Sequence, residues 1–210
     1  MNKSILWLIS LLFVASLSIV SCSESDGKED PYANWEERNQ RYIDSIATVA
    51  EANQGNEVGQ WKIIRSYKLP PLGLNETGKV NDNVYCKIVK IGDGTTSPIA
   101  TDTVAVNYRG QFINGTVFDQ SYQGELDPET ATPKTFVGVI AGWSTALMKG
   151  YGGMKVGDQW ELYIPYQLGY GKDGYSDIPG YSTLIFNVNL VGISPLKGTE
   201  RSVDDVLVAE

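Results

Sequence analysis

Along this chain the spacing of hydrophobic positions changes once. Between 34 and 53, Trp35, Tyr42, Ile43, Ile46, Val49 and Ala50 fall on one face of a 3.6-residue repeat, which predicts an amphipathic helix. Asn34 is placed to cap it, Glu36 and Glu37 stand in its first turn where the helix dipole favours acids, and Gly55 and Gly59 end it. A helix of this length gains most of its stability from packing, so its stripe must lie against the rest of the chain or against a second copy, as in a homodimer. Beyond Gly59 the period is two. Residues 61–67, 84–91, 103–113, 116–118, 135–140, 158–164 and 183–191 read as strands. Val104, Val106 and Tyr108 share one face, as do Trp160, Leu162 and Ile164, and as do Leu184, Phe186, Val188 and Leu190. Asn114-Gly115 is a hairpin signal, Pro70-Pro71 with Gly73 marks an irregular connection, and Gly150, Gly152 and Gly153 close a short helix over 142–149. Many strands around one short helix predict an α+β chain, an antiparallel sheet folded over that helix.

The first twenty residues follow a different logic. Lys3 precedes an apolar run over 5–20 that is short for a membrane span but of signal-peptide length. It ends in Ser-Ile-Val-Ser-Cys22, which resembles a bacterial lipobox. That resemblance implies removal of 1–21, lipidation of Cys22 as the membrane anchor, and, with Ser23 rather than Asp next, an outer-membrane lipoprotein facing periplasm or cell surface. Residues 22–33 read as a flexible tether rich in Glu, Asp and Lys. With Cys22 acylated, Cys86 is the only remaining thiol, and its place in a strand predicts a buried packing residue.

Composition removes whole classes of chemistry. The 210 residues contain no His, so triad hydrolases, His-based zinc enzymes and facial-triad iron oxygenases are excluded. With 17 Lys and Arg against 25 Asp and Glu, the net charge of −8 argues against nucleic acid. The Gly150-Tyr-Gly-Gly stretch lacks the Lys-Ser/Thr of a phosphate loop. What remains is carboxylate, Lys or Tyr chemistry, or a function that needs no proton transfer.

Three segments then stand out in order: Val104-Ala-Val-Asn-Tyr-Arg-Gly110 with Asn114-Gly-Thr-Val-Phe-Asp119; Val139-Ile-Ala-Gly-Trp143 with Gly153-Met-Lys-Val-Gly157; and Ile164-Pro165, Gly169-Tyr-Gly171, Ile178-Pro179 and Thr183-Leu-Ile-Phe186. Together they resemble the FKBP-type peptidyl-prolyl isomerases over roughly 84–193. The resemblance implies a twisted antiparallel β-sheet wrapped around a short α-helix, preceded here by a helix and strand extension over 34–83 and followed by a tail over 194–210. It implies a pocket of Tyr108, Phe118, Asp119, Val139, Ile140, Trp143, Tyr170, Ile178 and Phe186, with Trp143 as floor and Tyr175 on the rim. Tyr170 and the Ile140 N–H would donate to carbonyls flanking a proline. The implied activity is rotation of Xaa-Pro bonds in exported proline-containing polypeptides, with no metal or cofactor; the alternative is a non-catalytic chaperone or binding module of the same fold. Where the family often has an Arg partner for the Asp, this chain has Tyr122 and Gln123. Lys134 stands where a pocket aromatic is usual, two positions before Phe136, and Glu125, Asp127 and Glu129 give the intervening connection an acidic rim.

Overall fold

The change of period becomes a change from helix to sheet in the computed structural model, which describes residues 30–123, 131–135 and 139–196. The leader, Cys22, most of the tether, the acidic rim, Phe136 and the tail beyond 196 lie outside the described residues. Residues 30–33 belong to a separate unit and form a turn in which the Ala33 N–H donates to the Asp30 carbonyl at 3.0 Å.

Helix α1 (Trp35–Ala52) buries Trp35, Asn39, Ile43, Ala47 and Ala50. The buried stripe therefore runs at steps of four and three, includes one Asn, and leaves Val49 51% exposed. Asn34 makes no side-chain cap bond, because it takes the left-handed conformation with φ 52°, whereas a capping side chain works from extended backbone. Its carbonyl instead accepts the Arg38 N–H at 3.0 Å.

Among the described residues seven strands follow: β1 (Trp61–Arg65), β2 (Asn83–Lys90), β3 (Thr103–Gln111), β4 (Val117–Gln120), β5 (Thr132–Thr135), β6 (Gln159–Ile164) and β7 (Leu184–Ser194). They pair antiparallel in the order β1-β2-β6-β7-β3-β4, with β5 also on β3. One edge of β3 is thus divided, with β5 along residues 103–106 and β4 along 109–111. Ser121 fills the gap: its N–H donates to the Tyr108 carbonyl at 2.9 Å and its Oγ accepts the Tyr108 N–H at 2.9 Å. The strand expected over 135–140 lies earlier, since Thr135 already pairs with Thr103, the first residue of β3, and Val139 and Ile140 lead out of the sheet instead.

Helix α2 (Ala141–Leu147) is buried throughout. A Cβ on Gly142 would overlap the Ile164 side chain, so glycine lets the helix lie directly on β6. In β2, Val84, Tyr85 and Cys86 are all buried, which alternation on one covered face does not allow. Tyr85 and Tyr163 pack with Ile43 of α1, while Cys86 and Leu162 point to the other face with α2. Two helices therefore sandwich this end of the sheet, and the stripe of α1 is covered by its own chain. A second copy would have to meet α1 on its outward face. The Cys86 thiol is fully buried, and burial pushes its pKa up, as expected of a packing residue.

Candidate active site

The site grows from Tyr108 of β3, whose backbone N–H and carbonyl are both held by Ser121. Around it stand rings from three other elements. Trp143 of α2 meets Tyr108 edge-on at 5.6 Å and 90°, and Phe186 of β7 meets Trp143 at 5.7 Å and 82°. Phe118 of β4 stands behind Phe186 at 5.4 Å and 89°. The series continues outward through Phe112 at 4.8 Å to Trp35 of α1 at 6.0 Å. Such edge-to-face contacts each contribute about 0.5–1.5 kcal/mol beyond burial, so the rings hold one another in place. Gly110 makes this arrangement fit: a Cβ there would lie 2.7 Å from both Phe118 Cζ and Phe186 Cε1.

The rings enclose a cavity of about 160 Å³, lined by Tyr108, Asp119, Lys134, Val139, Ile140, Trp143, Tyr170 and Phe186. That volume accommodates a single small ring. Most of the expected pocket residues line it. Phe118 does not, because it buttresses Phe186 from behind. Ile178 also lies off the lining; its backbone exchanges hydrogen bonds with Tyr175 at 2.9 and 3.0 Å. Tyr175 is 67% exposed and stacks on Tyr170 at 5.4 Å and 13°, extending the rim outward. Lys134 is the residue the sequence marked only as a departure. It sits on β5 opposite Val104, and its Nζ lies 5.0 Å over the Tyr108 ring, so a cation replaces part of an aromatic wall.

Asp119 finds its partner in Tyr108, whose hydroxyl donates to Oδ2 at 2.9 Å. The carboxylate itself is exposed at the mouth, which removes the desolvation cost expected of an acid in an apolar pocket. Burial, then the hydrogen bond and charge of Asp119 and the nearby Tyr170, raise the Tyr108 phenol well above its ordinary value. Burial, then Asp119 and Tyr175, raise Tyr170 in the same direction. Both phenols stay protonated donors at neutral pH.

Tyr170 lies in a loop between two glycines, Gly169 and Gly171. The loop is tied: the Gly171 N–H donates to the Tyr166 carbonyl at 2.8 Å, and the Tyr181 N–H donates to the Gly171 carbonyl at 3.0 Å. Gly174, at φ 72°, comes so close to the Ile178 carbonyl that a Cβ would overlap it. Among the described residues the Tyr170 hydroxyl and the Ile140 N–H have no acceptor, and both border the cavity. The indole N–H of Trp143 is buried without a partner among the described residues.

Comparison with known proteins places this architecture. Residues 94–191 match the family model of the FKBP-type peptidyl-prolyl cis-trans isomerases. The macrophage infectivity potentiator of Trypanosoma cruzi is 32% identical over 209 residues, covering 98% of this chain and 91% of that protein. The chain belongs to the FKBP-type peptidyl-prolyl cis-trans isomerase family. Another relative, the peptidyl-prolyl cis-trans isomerase Mip of Coxiella burnetii, is 44% identical over 108 residues, 51% of this chain. The chain spans 43% of that relative's length. The crystal structure of FkpA from Escherichia coli has the same fold, with a TM-score of 0.54 at 27% identity over 93% of this chain and 74% of that one. In this chain α1, β1 and β2 all precede the segment that the family model matches.

Proposed function

We propose that this chain catalyses cis–trans rotation of Xaa-Pro bonds in polypeptide clients. The observation that carries the reading is the ring-sized aromatic cavity with two unoccupied donors on its edge, in a chain of this family. Rotation about an amide breaks no covalent bond and needs no imidazole; it must overcome roughly 18–20 kcal/mol of resonance. The planar amide is more charge-separated than the twisted one, so packing it against Tyr108, Trp143 and Phe186 in place of water disfavours the ground state more than the transition state. Tyr170 and the Ile140 N–H are placed to hold the carbonyls flanking the proline as the bond turns. Isomerisation of an Xaa-Pro tetrapeptide, followed by exchange NMR with the full chain, tests this: a rate equal to buffer would exclude turnover.

One observation favours a second reading, a binding module without turnover. Lys134 brings a charge into the wall, and desolvation is the source of the proposed acceleration. Peptide binding without rate enhancement in the same experiment would establish that reading instead.

The same proposal places the protein in the cell envelope, held by a lipid on Cys22 after removal of 1–21. Its support is the leader sequence and the lipobox-like Ser-Ile-Val-Ser-Cys22. Several acyl chains on one residue anchor stably at about 0.8 kcal/mol per buried methylene. Incorporation of labelled palmitate that is lost in Cys22→Ala supports the anchor, and incorporation unchanged by that substitution rules it out.

A further inference from the structure

Beside the ring-sized cavity lies a larger one of about 540 Å³. Lys68 and Leu69, from the segment after β1, form one side, and Gln167 and Leu168, from the turn after β6, form the other. Val139 and Ile140 line both cavities, so one ridge separates them, and the unoccupied Ile140 N–H lies on that ridge. An extended chain advances about 3.3–3.6 Å per residue. A client whose proline fills the first cavity and whose carbonyl takes the Ile140 N–H carries its next one or two residues over the ridge into the second.

The wall on the Lys68 side is built in advance. The Ser66 N–H donates to the Asp82 carbonyl at 2.9 Å, the Leu69 N–H donates to the Ser66 carbonyl at 3.0 Å, and Arg65 Nε donates to the Pro70 carbonyl at 3.0 Å. Arg65 is itself held by Asp82 at 2.8 Å. Leu168, on the opposite side, is buried. Among the described residues Lys68 is the only charged side chain lining the cavity; its ammonium lies 5.9 Å over the Tyr67 ring and meets no carboxylate. In a chain of net charge −8, an ammonium held over a ring with no carboxylate beside it, at the edge of a binding groove, marks where a negative group of the ligand belongs.

We propose that this second cavity is a client subsite: it takes the residues flanking the proline on the Ile140 side, an apolar one against Leu69 and Leu168 and an acidic one at Lys68. The inference rests on the isomerase reading of the first cavity for where the proline lies. Its ligand class is an extended proline-containing segment with a carboxylate within two residues of the proline.

The experiment compares a blocked Xaa-Pro tetrapeptide with the same peptide lengthened at one end or the other by Leu-Glu or Leu-Lys. Binding is followed by NMR titration and turnover by exchange, both with the full chain. Lengthening by Leu-Glu at one end is expected to tighten binding about fivefold, and Leu-Lys is expected to give no gain. Lys68→Glu should reverse that order while leaving the tetrapeptide rate unchanged. Equal binding of all peptides, no binding of any, or an equal effect of Lys68→Glu on every peptide would overturn the subsite. A tetrapeptide that binds without turning over refutes the isomerase reading alone, since the order of affinities still decides the subsite.

Discussion

At the scale of single residues, Tyr108 joins the ring cluster to the mouth of the cavity. Its ring contacts Trp143 and carries the Lys134 ammonium, while its hydroxyl holds Asp119. Tyr108→Phe keeps the ring and removes the donor. Because Asp119 is exposed and can turn to water, stability should fall by only about 0.5–1.5 kcal/mol. The rate should fall more clearly, by about tenfold in kcat/KM, if a fixed Asp119 helps define the mouth; isomerisation and urea unfolding on one sample separate the two. Gly110→Ala acts on the rings themselves. A Cβ at 2.7 Å from both Phe118 and Phe186 forces one to move, with an expected loss of about 1–3 kcal/mol and a changed near-UV circular dichroism spectrum. The motif made Tyr108, Trp143, Tyr170 and Phe186 legible because their identities and spacing carry it. Depth was not legible: Phe118 stands behind the lining, Tyr175 lies outside it, and Lys134 is in it, since motif position says nothing about which neighbour comes between a side chain and the cavity.

At the scale of elements, α1 shows what a hydrophobic pattern cannot reveal. The helix and most of its apolar face follow from the spacing, yet the residue that locks it to the sheet is polar and invisible to that pattern. Asn39 is buried; its Nδ2 donates to the Trp35 carbonyl at 2.7 Å, and its Oδ1 accepts the Thr183 N–H at 2.7 Å, just before β7 begins. Trp35 Nε1 adds a bond to Ser182 Oγ at 2.9 Å. Asn39→Ala would leave the Thr183 N–H buried without an acceptor, a loss of about 1–3 kcal/mol. For a chain of this size that lowers Tm by several degrees, roughly 2–4 °C per kcal/mol. The tetrapeptide rate well below Tm should change little, because Phe186 is still held by its rings. A rate that falls in proportion to stability would mean instead that α1 sets the geometry of the cavity.

At the scale of the molecule, period and turn signals foretold an antiparallel sheet over a short helix, and the structure agrees. They did not foretell the divided edge of β3, or that the predicted helix α1 would cover the face opposite α2, because both depend on contacts between segments distant in sequence. The fold also sets how the whole chain answers to pH. With no His, nothing titrates at an ordinary imidazole value between pH 5 and 8. Burial opposes ionisation of Asp82, but the Lys79 N–H and the Arg65 guanidinium outweigh it and hold that carboxyl below its usual range. A carboxyl lowered on folding binds fewer protons in the folded state. Its contribution is therefore present above the unfolded value, about pH 4, and is lost as pH falls through the folded one. The buried Cys86 thiol and the Tyr85, Tyr108 and Tyr163 phenols are raised, so they act in the opposite sense. Folding keeps them protonated, and stability declines once the unfolded thiol ionises, above about pH 8.5. Unfolding free energy and kcat/KM should both be level from about pH 5 to pH 8. Asp82→Asn should lower the plateau and flatten the acid limb, leaving the alkaline limb in place. Urea midpoints measured across that range check this, and a step near pH 6.5 in either quantity would contradict the assignment of every group named here.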